Sequence, residues 1–175
     1  MADEGATPRE LILESCRRNN PDLLDEVLAQ QRSPPQIAAL LNRTVDGVGN
    51  GALHIAATYG SYEVLDMLLD QEGLEIDNFD RMEKDTPLHK AVRHVNELGK
   101  ERWDEGLRIV DILLDAGCDP RIRNKAKLKP VELADPRNVA LRDMLRKAEF
   151  AMMAGDDVVQ EDDDEGPTGS GSESD

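Results

Sequence analysis

Between Gly49 and Leu69 the chain reads Gly-Asn-Gly-Ala-Leu-His-Ile-Ala-Ala-Thr-Tyr-Gly-Ser-Tyr-Glu-Val-Leu-Asp-Met-Leu-Leu, and this stretch narrows the possible folds more than any other. Leu53, Ala56 and Ala57 put one large and two small groups on one helical face, which lets a second helix approach closely. Gly60 supplies the positive φ that ends this helix, and Ser61 to Leu69 reads as its antiparallel partner. A unit of two such short helices cannot bury its apolar face alone. It must stack on copies of itself, so the rest of the chain is expected to contain them.

The stretch resembles the core of an ankyrin repeat, with matches at Gly49, Leu53, His54, Ala56, Ala57, Gly60, Glu63, Val64, Leu68 and Leu69. Thr86-Pro87-Leu88-His89-Lys90-Ala91 states the same family's most specific tetrapeptide in full and opens a further unit, with Thr86 as cap, Pro87 where no amide is lost and Leu88 in the core. The resemblance covers about residues 8 to 148. It implies an all-α solenoid of about four helix-turn-helix units with degenerate terminal caps, histidines that brace neighbouring loops, and a protein-binding scaffold. Within the family, the short solenoid, the Asp119 to Lys125 junction and the acidic tail are similar to small fungal members that escort a KH-domain protein of the small ribosomal subunit.

The copies are found in order along the chain. Thr7 and Pro8 open a first helix with Leu11, Ile12, Ser15 and Cys16 inward; Asn19-Asn20 replaces the glycine turn. Leu23, Leu24, Val27 and Leu28 then repeat Val64, Leu65, Leu68 and Leu69 at a constant offset of 41. Ser33 to Asn42 predicts a short extra helix that accounts for the long period. Leu74 to Asp85 is a connecting loop of the hairpin sort. In the third unit, Ile109 to Leu114 matches Val64 to Leu69, but Ile109 lies 21 residues after Leu88, where Val64 lies 11 after Leu53. Ten residues are therefore inserted, at about 95–106, and the longer connection is expected to make this the weakest interface of the solenoid. The last unit runs from Lys129 to a short closing helix with Val139, Leu141, Met144 and Leu145. The organisation expected is 1–7 disordered, 8–150 repeat domain, and 151–175 a disordered acidic tail.

Composition supports stacked helices. Aromatics are only 3% of the chain, whereas strands favour aromatic and β-branched residues. Cys16 and Cys118 fall where a repeat wants a small side chain, too far apart along a solenoid to be bridged, and both are read as free thiols. The start is polar and acidic and no window carries a long apolar run, so neither a leader nor a membrane helix is expected and the reading is cytoplasmic or nuclear. The net charge is −16; residues 155–175 hold nine acidic and no basic side chains, and the rest of the chain carries 28 acidic against 21 basic. Direct nucleic-acid binding is disfavoured, and a basic protein is the natural partner.

No catalytic, cofactor or metal site is expected. His54 and His89 lack an HxxxH or CxxC context, and no glycine-rich phosphate loop occurs. The candidate partner-binding residues are the acidic loop side chains Asp77, Asp80, Glu83 and Asp85, together with Tyr59 and Trp103, with Asp162, Asp163, Asp164 and Glu165 in the tail. Trp103 either folds back on its own repeat or stands as an exposed anchor. Arg121, Arg123, Lys125, Lys127 and Lys129 recur at every second position, so an extended arm would align them on one face, free in solvent, against an acidic partner, or against the protein's own tail. Two functions are carried forward for a monomeric chain. One is a chaperone or escort for a basic nucleic-acid-binding client such as a small-subunit ribosomal protein. The other is a regulatory scaffold binding a transcription factor or a proteasome subunit.

Overall fold

The helix starts follow from local chemistry. Thr7 closes a reciprocal cap with Glu10, its hydroxyl accepting from the Glu10 amide at 3.1 Å and its own amide donating to the Glu10 carboxylate at 3.0 Å. Asn20, Ser33 and Thr86 cap the next helices that begin with proline. The computed structural model describes the backbone of residues 5–165 and side chains as far as Asp156. Among the described residues the elements are α1 (Pro8–Arg18), α2 (Pro21–Ala29), α3 (Pro34–Arg43), α4 (Ala52–Tyr59), α5 (Tyr62–Leu69), α6 (Pro87–Leu98), α7 (Trp103–Asp115), α8 (Pro130–Leu133) and α9 (Val139–Glu165), with a 3₁₀ turn at Lys100–Arg102. Met1 to Glu4 and residues 166–175, the ends of the two segments expected to be disordered, lie outside the described residues.

Four units stack as expected: α1 with α2, α4 with α5, α6 with α7, and α8 with α9, while α3 is the extra helix between the first two. The first helices α1, α4, α6 and α8 form one row, each packed on the next. Their buried side chains, including Ile12, Cys16, Leu53, Ala56, Leu88, Ala91, Val92 and Val131, run into those of α2, α5 and α7 as one continuous core. Asn19 ends α1 in the left-handed region (φ 52°), the conformation that Gly60 adopts at the end of α4 (φ 66°). An asparagine is useful there because its side chain reaches the next unit. Its carbonyl oxygen accepts from the Val64 amide at 3.1 Å, and its amide group donates to Glu63 at 2.6 Å.

The inserted residues do not loosen the third unit. They lengthen its two helices, α6 to 12 residues and α7 to 13, where α4 and α5 have 8 each. The added turns pack directly on each other. A Cβ on buried Gly106 would lie 2.7 Å from Val95 Cγ2 and 3.2 Å from the Val95 Cα, so the helices touch nearly backbone to backbone at this glycine. The insertion therefore does not leave an open connection as expected: its residues become helix that buries Val95 and Gly106, which offsets part of the cost of the longer chain.

Two further expectations are corrected. The connecting loops are not paired β-hairpins. Among the described residues the one bridge is Val45 with Gly51, and the other loops are closed by turns such as Asp80 N–H to Asp85 O at 2.9 Å and Asn124 N–H to Leu128 O at 3.0 Å. The closing helix is not short. α9 runs 27 residues to Glu165, so residues 151–165 are helical, including the backbone of Asp162, Asp163, Asp164 and Glu165. Ala148 to Ala154 is rich in the helix formers Ala, Glu and Met, and Asp156 is tied to Arg121 at 2.7 Å, which together extend the helix beyond its buried residues Leu141 and Leu145. Among the described residues no helix is long and apolar enough to cross a membrane.

Candidate protein-interaction face

Three loops project beside the N-terminal ends of the first helices: residues 44–51, 74–86 and 117–129, here called the first, second and third fingers. Each is shaped by an Asp or Asn side chain that gathers backbone amides. Asp46 accepts from the Val48 and Asn50 amides at 3.0 and 2.9 Å, Asp80 from Glu83 and Asp85 at 3.1 and 2.9 Å, and Asn124 from Ala126 and Leu128 at 3.0 and 3.1 Å.

The histidines brace these fingers from the helices. His54 Nδ1 accepts from the Gly51 amide at 3.1 Å, which leaves the proton on Nε2 to donate to the Asn78 and Asp85 carbonyls at 3.0 and 2.9 Å. His89 repeats the arrangement one unit later, accepting from the Thr86 amide at 3.0 Å and donating to the Leu128 carbonyl at 2.9 Å. Every ring nitrogen is committed to the backbone of its own or the following loop, so neither imidazole has a lone pair left for a ligand. Burial holds both, and His94 beneath Gly60, below the ordinary histidine pKa. An unfolded chain then binds more protons than the folded one as soon as pH falls below about 6.5, so acid destabilises the fold in that window. Thermal melts are expected to be flat between about pH 7 and 8 and to fall below about 6.5, by up to about 1.4 kcal/mol per pH unit for each histidine. A profile that stays flat down to about pH 5 would contradict the neutral, buried imidazoles.

The acidic loop does not form the surface expected of it. Asp85 is fully buried and Asp80 is 2% exposed. Asp85 pairs with Arg93 at 2.7 Å and accepts from the Asn124 amide group at 2.9 Å, while Asp80 pairs with Lys90 at 2.8 Å. These partners hold both carboxyls below the usual carboxylate range in spite of burial. Asp77 is half-buried and accepts from the Asp119 amide at 3.1 Å; burial pushes its pKa up. Only Glu83 of the four is exposed. Asp80 and Asp85 thus join the second finger, α6 and the third finger, and are not offered to a partner.

Tyr59 is exposed at the end of α4, whereas Trp103 opens α7 half-buried and packed against the core of its own repeats. The basic residues of the third finger do not share a face, because the chain turns at Asn124 to Leu128 with Lys127 at φ 70°. Arg121 pairs with Asp119 and Asp156, Arg123 with Glu132, and Lys129 with Glu149. Cys16 and Cys118 are free, buried thiols; burial raises both, Cys16 to about 12, which leaves them inert at neutral pH.

What sequence reasoning missed is apolar. Val45, Val48, Phe79 and Met82 are exposed on the first and second fingers, Phe79 by 52% and Met82 by 61%. The two fingers touch: a Cβ on Gly49 would lie 2.5 Å from Arg81 Cβ, and Val45, Phe79 and Leu74 line a cleft between them. A signal was present, since Phe79 and Met82 are large apolar residues inside the otherwise polar run Asp77 to Asp85 with no helical or strand period to bury them.

A family description of ankyrin repeats in three copies matches residues 11–124. The chain is 42% identical over 155 residues to the ankyrin repeat-containing protein YGL242C of Saccharomyces cerevisiae, spanning 87% of this chain and 83% of the yeast protein. It is 27% identical over 157 residues to alpha-latrocrustotoxin-Lt1a of Latrodectus tredecimguttatus, where the match covers only 10% of the toxin. A Caenorhabditis elegans homolog of transient receptor potential cation channel subfamily A member 1 shares 34% over 87 residues, 6% of its length.

Proposed function

Because this chain belongs to the ankyrin-repeat family, whose units mediate protein interactions, we propose that it is a non-catalytic escort for a basic, nucleic-acid-binding protein such as one of the small ribosomal subunit. The observation that carries this reading is a set of exposed apolar side chains on touching fingers, Val45, Val48, Phe79 and Met82, in a chain of net charge −16. Apolar anchors supply the contact that excludes water, and the charge selects a cationic partner and speeds its approach. The acidic side chains Glu161, Asp162, Asp163, Asp164, Glu165, Glu173 and Asp175 would act on encounter over a screening length of about 8 Å at physiological salt.

The second reading is a regulatory scaffold for a transcription factor or a proteasome subunit. The burial of Asp80 and Asp85 favours it, since it removes two carboxylates from the finger surface and leaves recognition there to apolar side chains.

Affinity capture with the full chain and with a chain ending at Asp157, which keeps the Asp156 contact, separates the two. The escort reading expects captured proteins that are strongly basic and that associate several-fold more slowly with the shortened chain at about 50 mM salt, a difference that vanishes near 0.5 M. Replacing Phe79 and Met82 by Ser is expected to speed dissociation at both salt concentrations. Captured partners that are neutral or acidic, or equal association rates at low salt, would move the scaffold reading ahead.

A further inference from the structure

α9 is held to the repeats in two different ways along its length. Near its start Leu141 and Leu145 are fully buried and Met144 packs against the core. Beyond Leu145 no described residue of α9 is buried, and Phe150 and Met153 are 74% and 53% exposed. Two ion pairs take over there. Lys129 Nζ lies 2.9 Å from Glu149 Oε1 and Arg121 Nη1 lies 2.7 Å from Asp156 Oδ2. Glu149 and Asp156 are seven residues apart, two turns along one face of the helix, while Lys129 and Arg121 stand at opposite ends of the turn in the third finger. The Arg121 guanidinium is already oriented by two bonds to Asp119, at 2.9 and 3.0 Å, which leaves Nη1 directed to Asp156.

We propose that the last turns of α9 are an electrostatic strap, clasped to the third finger by Glu149 and Asp156, and that a polycationic partner which competes for these carboxylates loosens it. The finger's cations have an occupant within the chain, since a separate acidic partner would approach against a net charge of −16. The strap continues in the same helix into the acidic residues 161–165, so a cation drawn to them arrives beside the clasp. The strap itself stands on the geometry of α9; its loosening by a partner rests on the proposed basic client.

Amide exchange measured on the full chain tests both parts. Replacing Glu149 by Gln and Asp156 by Asn together is expected to speed exchange of residues 150–156 about fivefold, the combined effect of two modest ion pairs, with residues 53–57 unchanged. Raising salt to about 0.5 M is expected to do the same to the natural sequence and nothing further to the double variant. Poly-L-lysine at low salt is expected to speed exchange of 150–156 in the natural sequence only. Equal exchange in the two chains, or exchange of 150–156 that ignores salt, would overturn the strap even if the captured client is basic. Unchanged or slower exchange with poly-L-lysine would overturn the coupling. Should the double variant fail to fold, the salt and poly-L-lysine arms on the natural sequence still decide.

Discussion

Replacing Asp85 by Ala is expected to destabilise the protein by about 3 to 5 kcal/mol, the range for removing one partner of a buried charge cluster. The carboxylate is fully buried and serves three partners from two elements: Arg93 at 2.7 Å and Lys90 at 3.5 Å on α6, and the Asn124 amide group at 2.9 Å on the third finger. Without it, Lys90, whose side chain is 17% exposed, keeps only Asp80, and Arg93, 39% exposed, turns to solvent. The partial exposure of Arg93 lets water recover some of the loss, which places the expectation at the lower end of the range. Asn124 loses the bond that aligns it to gather Ala126 and Leu128, so the third finger and the His89 contact to Leu128 should loosen with it. Urea unfolding measures the loss, with Glu83→Ala on the same loop as the exposed control, expected within about 0.5 kcal/mol. Equal, small effects of the two substitutions would mean that Asp85 belongs to a partner surface after all.

Replacing Leu88 by Ala is expected to cost about 2 to 5 kcal/mol, the range for a buried leucine truncated in place. Leu88 is fully buried in the core, on a helix that itself packs on α4, α7 and α8. Because a solenoid distributes stability among neighbouring units, the loss is expected to appear in amide exchange on α4 and α7 as well as on α6. Val139→Ala, at a side chain 61% exposed on α9, is expected to change stability by less than about 0.5 kcal/mol. A Leu88→Ala chain that unfolds at the same urea concentration as the natural one would sink the assignment of α6 to the centre of the stack.

The repeat was legible in the chain alone. Small residues at Ala56 and Ala57, the turn at Gly60 and the caps at Thr7 and Thr86 act within one or two helical turns, and the units built from them can satisfy their apolar faces only by stacking. The histidine braces were legible only through the family resemblance, since each ring also reaches the loop of the following unit, at Asn78 and Asp85 for His54 and at Leu128 for His89. The tertiary structure alone decided which polar residues are surface. Asp77, Asp80, Glu83 and Asp85 look alike in a polar loop, yet Asp80 and Asp85 are buried because Lys90, Arg93 and Asn124, up to 39 residues away, converge on them. It likewise decided that ten inserted residues become packed helix at Gly106, that Phe79 and Met82 stay outside, and that α9 continues to Glu165 with Arg121 and Lys129 holding its acidic face. Each of these depends on partners from another unit of the stack, and charge pairing and close packing between units leave no period in the chain from which they could be read.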